Sequence, residues 1–150
     1  MRHGRYGGPS RVLDAALLVL DAAGLRVEAA SPIAASAPLG PSRRRFANAA
    51  AIIVTGLPPP ALLERLQGIE REFGRRRGRR WGPRVLDLDI VLWSAGAWRS
   101  PGLTIPHPRF RERDFVLTPA RKVAPRWRDP LTGLAITHLA ARLTASRARL

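Results

Sequence analysis

Asp87 and Asp89 stand two residues apart in Arg84-Val85-Leu86-Asp87-Leu88-Asp89-Ile90-Val91-Leu92, directly after the tight turn Trp81-Gly82-Pro83. Leu86, Leu88, Ile90 and Leu92 alternate with the other residues, which is the period of a β-strand. On a strand this spacing puts both carboxylates on one face, with Cα atoms roughly 6.5–7 Å apart. Carboxylates that close repel, and they are costly to bury without a counter-cation. A divalent cation, or a pair of them, resolves the conflict. Magnesium is typically held by one or two carboxylates while substrate phosphates complete its shell. The alternative is an ordinary acidic surface face; the flanking Trp81, Arg84 and dense arginine weigh against it.

Other residues suit a phosphate or a planar ligand. Arg75, Arg76, Arg77, Arg79 and Arg80 fit a phosphate clamp, because guanidinium offers bidentate donors to phosphate oxygens; a solvated basic loop or a nucleic-acid contact would use the same residues. Gln67 and Glu70 lie three apart on a predicted helix and share a face. Their side chains could hydrogen-bond a nucleobase or simply face water. Phe46 could stack a flat ring and Asn48 could read donor and acceptor edges, although an aromatic residue on a strand is more often core. His107 sits in a rigid Ile105-Pro106-His107-Pro108 turn near Thr104 and Arg113; His3 and His138 have no such surroundings. Gly-x-x-x-x-Gly-Lys, His-Glu-x-x-His and Gly-x-Ser-x-Gly patterns are all absent, which sets aside three familiar chemistries.

Positioning these groups requires a core, and 150 residues suffice for one domain with a real hydrophobic interior. No apolar run reaches the length of a membrane span, and the start of the chain lacks a signal-peptide pattern. With no cysteine, disulfides and thiolate metal sites are excluded, and a reducing cytoplasm is compatible. The formal charge of +15 suits an anionic partner such as a nucleotide, a nucleic acid or a membrane surface. Lys122 is the sole lysine, so part of that charge reflects a chain rich in arginine throughout.

Residues 1–9 read as a glycine-rich loop. Ser10 is the expected N-cap of a helix to about Ala23, with Leu13, Ala16, Leu17 and Leu20 on one face and Gly24 ending it. Leu25 to Ala37 reads as extended and broken by Pro32, and Pro38-Leu39-Gly40-Pro41 forms a turn. Phe46 to Thr55 carries the β-rich Ile52-Ile53-Val54. A second helix enters through three prolines and runs to about Phe73 on Leu62, Leu66 and Ile69, with Gly74 as its stop. Residues 75–84 form a basic loop before the aspartate strand. A hairpin is expected within 94–114, then a short apolar segment Phe115 to Leu117, and a last amphipathic helix near Ile136 to Leu143. Helix, strand, strand, helix, strand is the order of an α+β sandwich, and of a ferredoxin-like fold with an antiparallel sheet whose first strand is missing.

Taken together, the ordered motifs resemble the 6-hydroxymethyl-7,8-dihydropterin pyrophosphokinase family. The most specific is Arg80-Trp81-Gly82-Pro83-Arg84-x-x-Asp87-Leu88-Asp89-Ile90. It is accompanied by Pro38-Leu39-Gly40-Pro41, Phe46-Ala47-Asn48-Ala49, Gln67-x-x-Glu70, Leu103-Thr104-Ile105-Pro106-His107-Pro108, Arg113-x-Phe115-Val116-Leu117-x-Pro119 and Val123-Ala124-Pro125. The likeness runs over residues 9–143. It implies a ferredoxin-like fold and magnesium-dependent transfer of pyrophosphate from ATP to a pterin hydroxymethyl group, releasing AMP, in folate biosynthesis.

Carried over by position, the resemblance assigns two magnesium ions to Asp87 and Asp89. It gives ATP to Gln67, Glu70, Arg77, Trp81, Ile90, Thr104, His107 and Arg113. Ser36, Pro38, Leu39, Phe46, Asn48 and Phe115 would form the pterin pocket, the two rings sandwiching the bicycle. Arg75 and Arg84 would steady phosphates during transfer. A cytoplasmic monomer is expected, with no nucleic-acid or membrane partner.

Three departures from the family pattern stand out. The family opens with a strand ending in Gly-Ser-Asn, where this chain has Met1-Arg2-His3-Gly4; Gly102 replaces an arginine of some relatives; Pro108 replaces a tyrosine. Residues 1–8 are therefore expected to be disordered, the chain truncated at its start, and a slot left beside residues 85–92. The rival readings are a truncated or degenerate non-catalytic relative and a small basic nucleic-acid-binding protein, against which the two aspartates argue because they would repel a phosphate backbone.

Overall fold

Val12, Ala16 and Leu20 recur every fourth residue and form the buried stripe of helix α1 (Pro9–Ala22). The stripe is turned slightly from the one expected, since Leu13 and Leu17 are only partly buried at its flank. Gly8 rather than Ser10 is the N-cap, with Pro9 in the first turn, where its missing N–H costs nothing. At the other end Gly24 adopts φ +84°, which glycine tolerates, and the Leu25 N–H reaches back to the Leu20 carbonyl at 3.0 Å. The computed structural model describes residues 8–36, 46–76 and 85–148. Apart from Gly8, the expectation of disorder over residues 1–8 falls outside these.

Strands β1 (Arg26–Ala30), β2 (Ala34–Ser36), β3 (Phe46–Asn48) and β4 (Ala51–Val54) form a ribbon made of two separate two-stranded antiparallel sheets, with a bend between them. β1 pairs with β4 through Val27↔Ile53, with a bulge at Glu28, and β2 pairs with β3 through Ser36↔Phe46. Pro32 lies at the bend, as its sequence position foretold. Ser31, only 6% exposed, bridges it: its N–H donates to the Ala50 carbonyl at 2.8 Å and its hydroxyl accepts the Ala50 N–H at 2.9 Å.

Helix α2 (Pro59–Arg76) follows, burying Leu66, Ile69 and Phe73. It does not stop at Gly74 but continues to Arg76. Phe73 is 1% exposed, and burying it is worth about 1.5–3 kcal/mol, more than the roughly 1 kcal/mol that a helical glycine costs. Arg75 therefore belongs to the last turn of α2 rather than to a loop.

Strands β5 (Trp98–Ser100) and β6 (Leu103–Ile105) form the expected hairpin, turning at Gly102 with φ +77°. A single 3-10 turn (Phe110–Glu112) leads into α3 (Asp114–Val123), and α4 (Ile136–Ala148) closes the described chain. Only a short apolar segment is expected from the sequence where α3 lies, because Pro119 argues against a helix interior. Leu117, Pro119 and Ala120 are all buried, and Asp114 in the first turn with Arg121 and Lys122 in the last complement the helix dipole. Packing outweighs the lost hydrogen bond.

Two apolar clusters flank the ribbon. Helices α1 and α2 share one with Leu25, Leu86, Val27 and Ile53; α3 and α4 share the other with Phe110, Ala50 and Ile52. Ile52 and Ile53 thus serve opposite faces, as strand alternation requires. The result is a mixed α+β arrangement of helices and small antiparallel sheets. No described helix is long and apolar enough to cross a membrane.

Candidate active site

The aspartate segment runs between the two clusters. Leu86, Leu88 and Ile90 pack toward α1 and α2, whereas Val91 and Leu92 pack toward α3 and α4. Asp87 and Asp89 are exposed and share the side opposite Leu86, Leu88 and Ile90. The alternation is that of a strand, yet among the described residues no ladder is assigned to 86–92. Its backbone groups find other partners. Glu70 Oε2 on α2 accepts the Leu88 N–H at 2.6 Å, and the Val91 carbonyl accepts the His107 N–H at 3.0 Å. One side chain and a neighbouring turn thus each satisfy one backbone group of the segment.

These two bonds fix the site's layout. Glu70 holds the segment from the α2 side, and His107 reaches it from the turn after β6, where the Ile105–Pro106 peptide is cis. His107 Nδ1 accepts the Arg109 N–H at 3.1 Å, so the neutral ring carries its proton on Nε2, which can donate to a ligand oxygen. Thr104 is half-buried on β6, across from Arg99. Six residues beyond His107, the Arg113 guanidinium lies 5.5 Å from the centroid of the Phe115 ring, which is 44% exposed. A cation and an aromatic face are thereby presented together.

The remaining candidates divide clearly. Ser36 and Phe46 are register partners at the end of β2 and β3, two residues from Asn48, which pairs with Ala34. Gln67 is exposed on α2, one turn before Glu70. Arg75 forms an ion pair with Glu72 on the same helix, both well exposed. Pro38, Leu39, Arg77, Trp81 and Arg84 lie outside the described residues.

Among the described residues no three His, Cys, Asp or Glu side chains gather as a ready-made metal cage. Two exposed carboxylates are nonetheless the donor set that magnesium uses when phosphate oxygens and water complete its shell. The residues present fit that ion.

A family profile described as 7,8-dihydro-6-hydroxymethylpterin-pyrophosphokinase (HPPK) matches residues 5–125. The chain belongs to the HPPK family. Among similar proteins, the 2-amino-4-hydroxy-6-hydroxymethyldihydropteridine pyrophosphokinase of Synechocystis is 41% identical over 78% of this chain and 60% of its own length. The enzyme of that name from Pseudomonas aeruginosa is 47% identical over 70% of this chain and 65% of its own. A mitochondrial folate synthesis bifunctional protein of Arabidopsis thaliana is 52% identical over 75 residues, 14% of its length. This HPPK-family chain thus spans less than two thirds of the length of these relatives.

Sequence reasoning missed one conspicuous polar feature of the HPPK-family chain. Asp129 has no exposed surface and pairs with Arg111, eighteen residues earlier. The only signal was the Asp129-Pro130-Leu131-Thr132-Gly133 run, which has turn composition but names no partner.

Proposed function

We propose that this chain is a diphosphotransferase that moves the β,γ-pyrophosphoryl group of ATP onto the hydroxymethyl oxygen of 6-hydroxymethyl-7,8-dihydropterin, in folate biosynthesis. The observation that carries this reading is the HPPK-family match spanning the Asp87–Asp89 pair, which is exposed on one face. The hydroxymethyl oxygen attacks the β-phosphorus, the bond from that phosphorus to the α,β-bridging oxygen breaks, and AMP leaves. The attacking hydroxyl releases its proton to solvent as the new P–O bond forms, so ATP and the dihydropterin give the diphosphate ester, AMP and one proton.

Asp87 and Asp89 would hold magnesium, two ions in the full arrangement, which supplies charge neutralisation at the phosphates and the attacking oxygen. The His107 Nε2–H and the Arg113 guanidinium are suited to phosphate oxygens, with Arg75, Arg77 and Arg84 as further cations. Gln67, Glu70, Trp81, Ile90 and Thr104 are assigned to the rest of ATP. Phe46 and Phe115 would stack on the pterin, with Ser36, Pro38, Leu39 and Asn48 completing its pocket. Because Arg113 stacks on Phe115, the phosphate and pterin subsites would touch.

We read residues 1–150 as one domain of ferredoxin-like type. It would act as a monomer in the cytoplasm, where ATP is its co-substrate. The test is incubation with ATP, the dihydropterin and magnesium chloride, with AMP quantified by chromatography. AMP formation that needs both the pterin and magnesium is expected. ATP consumption indifferent to the pterin would overturn the reading.

A further inference from the structure

The segment from His107 to Arg113 carries two groups assigned above to ATP, but its own bonds hold it loosely. Phe110 N–H to the His107 carbonyl is 3.3 Å, Glu112 to Arg109 is 3.1 Å, and Arg113 to Phe110 is 3.4 Å. The Arg109–Glu112 ion pair is at 4.0 Å, with both side chains about 70% exposed. Such a pair contributes little. The His107 N–H to the Val91 carbonyl pins its start and the Arg113 carbonyl accepts the Val116 and Leu117 N–H groups at its end, which leaves the middle to be fixed by side chains.

Two anchors occupy its centre. Phe110 has no exposed surface and seats in the cluster of Leu117, Ala120, Ile136 and Leu139. The Arg111 guanidinium lies over the Phe110 ring, 4.7 Å from its centroid, and forms a two-pronged pair with Asp129: Nε to Oδ2 at 2.5 Å and Nη2 to Oδ1 at 2.7 Å. The Asp129 oxygens also accept the Leu131 N–H at 3.0 Å and the Thr132 hydroxyl at 2.8 Å. Asp129 is itself braced, its N–H donating to the Leu134 carbonyl at 2.9 Å and its carbonyl accepting the Gly133 N–H at 2.7 Å.

A carboxylate with four donors has one orientation, and a planar fork docked on it has one as well. A buried ion pair is weak evidence for stability, but it can select a single geometry. We propose that Arg111 and Asp129 are a positioning pair, which fixes the 107–113 turn so that His107 and Arg113 are held ready for the nucleotide phosphates. Neither residue touches ligand. The claim that phosphate is what they serve rests on the function proposed above; the positioning itself does not.

The experiment compares the wild type with Asp129→Asn and with the milder Thr132→Val, which removes a single donor. The His107 imidazole and Arg113 guanidinium signals are followed by 15N NMR, and binding of α,β-methylene-ATP with magnesium and of the pterin by calorimetry. Asp129→Asn should shift or broaden the His107 and Arg113 signals while leaving the Trp98 indole signal in place. It should weaken the ATP analogue at least fivefold and the pterin, which meets Arg113 only through Phe115, by a clearly smaller factor. Thr132→Val should move the same signals less, and it serves alone if Asp129→Asn does not fold. Unmoved His107 and Arg113 signals in a folded variant would overturn the proposal, as would equal losses for both ligands. A wild type that binds neither ligand would remove the proposed function, while the NMR comparison would still decide the positioning.

Discussion

Glu70 Oε2 accepts the Leu88 N–H at 2.6 Å, so a carboxylate on α2 holds the peptide that lies between Asp87 and Asp89. Removing it strands a half-buried donor, which costs about 1–3 kcal/mol. Glu70→Ala should lower stability in urea by that amount, and the Leu88 amide should exchange faster with solvent. Glu70→Gln retains an acceptor and should lose less than half as much. Equal exchange at Leu88 in all three proteins would show that the contact is idle in solution.

Asp89→Ala should abolish pterin-dependent AMP formation and leave the fold intact. Asp89 is exposed, so its loss removes a ligand for magnesium and relieves repulsion with Asp87 without opening the core. Circular dichroism and a thermal melt check the fold, and turnover in saturating magnesium checks the chemistry. Undiminished turnover would remove the two-carboxylate mechanism.

The course of the chain through this site was legible in part, for physical reasons that differ between segments. The alternation of Leu86, Leu88 and Ile90 with the aspartates appears in burial because opposite sides of an extended segment meet different surroundings. Pro32 marked the bend because a residue without an N–H cannot continue a ladder. Local signals failed where packing decided: α2 ran past Gly74 under the pull of Phe73, and α3 formed around Pro119 because its neighbours are buried. The Leu88–Glu70 bond and the Arg111–Asp129 pair each join residues eighteen apart. No spacing rule reports such contacts, which exist only once α2 or the α3–α4 connection has docked.

Asp129 makes the protein sensitive to acid. Its hydrogen bonds from Arg111 hold the carboxyl at about 2, below the ordinary 3.8, with further help from the Leu131 N–H and the Thr132 hydroxyl and against the effect of burial. A depressed folded-state value means that the unfolded chain takes up the proton first. The stabilisation is therefore complete above pH 4 and is lost as the pH falls toward 2, amounting to roughly 1–2 kcal/mol. Urea melts of wild type and Asp129→Asn should converge over that interval. A constant gap from pH 5 to pH 2 would contradict the assignment.

Asn48→Ala should weaken pterin binding by about 1–3 kcal/mol, the scale for a polar partner left unmatched, and leave ATP affinity nearly unchanged. Its place on β3, two residues from the Ser36↔Phe46 pair, is remote in sequence from the groups assigned to ATP. Calorimetry with each ligand separates the two. Equal losses would make Asn48 a structural residue.

The central claim is transfer of a pyrophosphoryl group, and 31P NMR of the reaction tests it most directly. With ATP, the dihydropterin and magnesium, AMP and a pterin diphosphate ester should appear in equal amounts, with no ADP. Formation of ADP with a pterin monophosphate, or ATP loss without any pterin ester, would contradict the account.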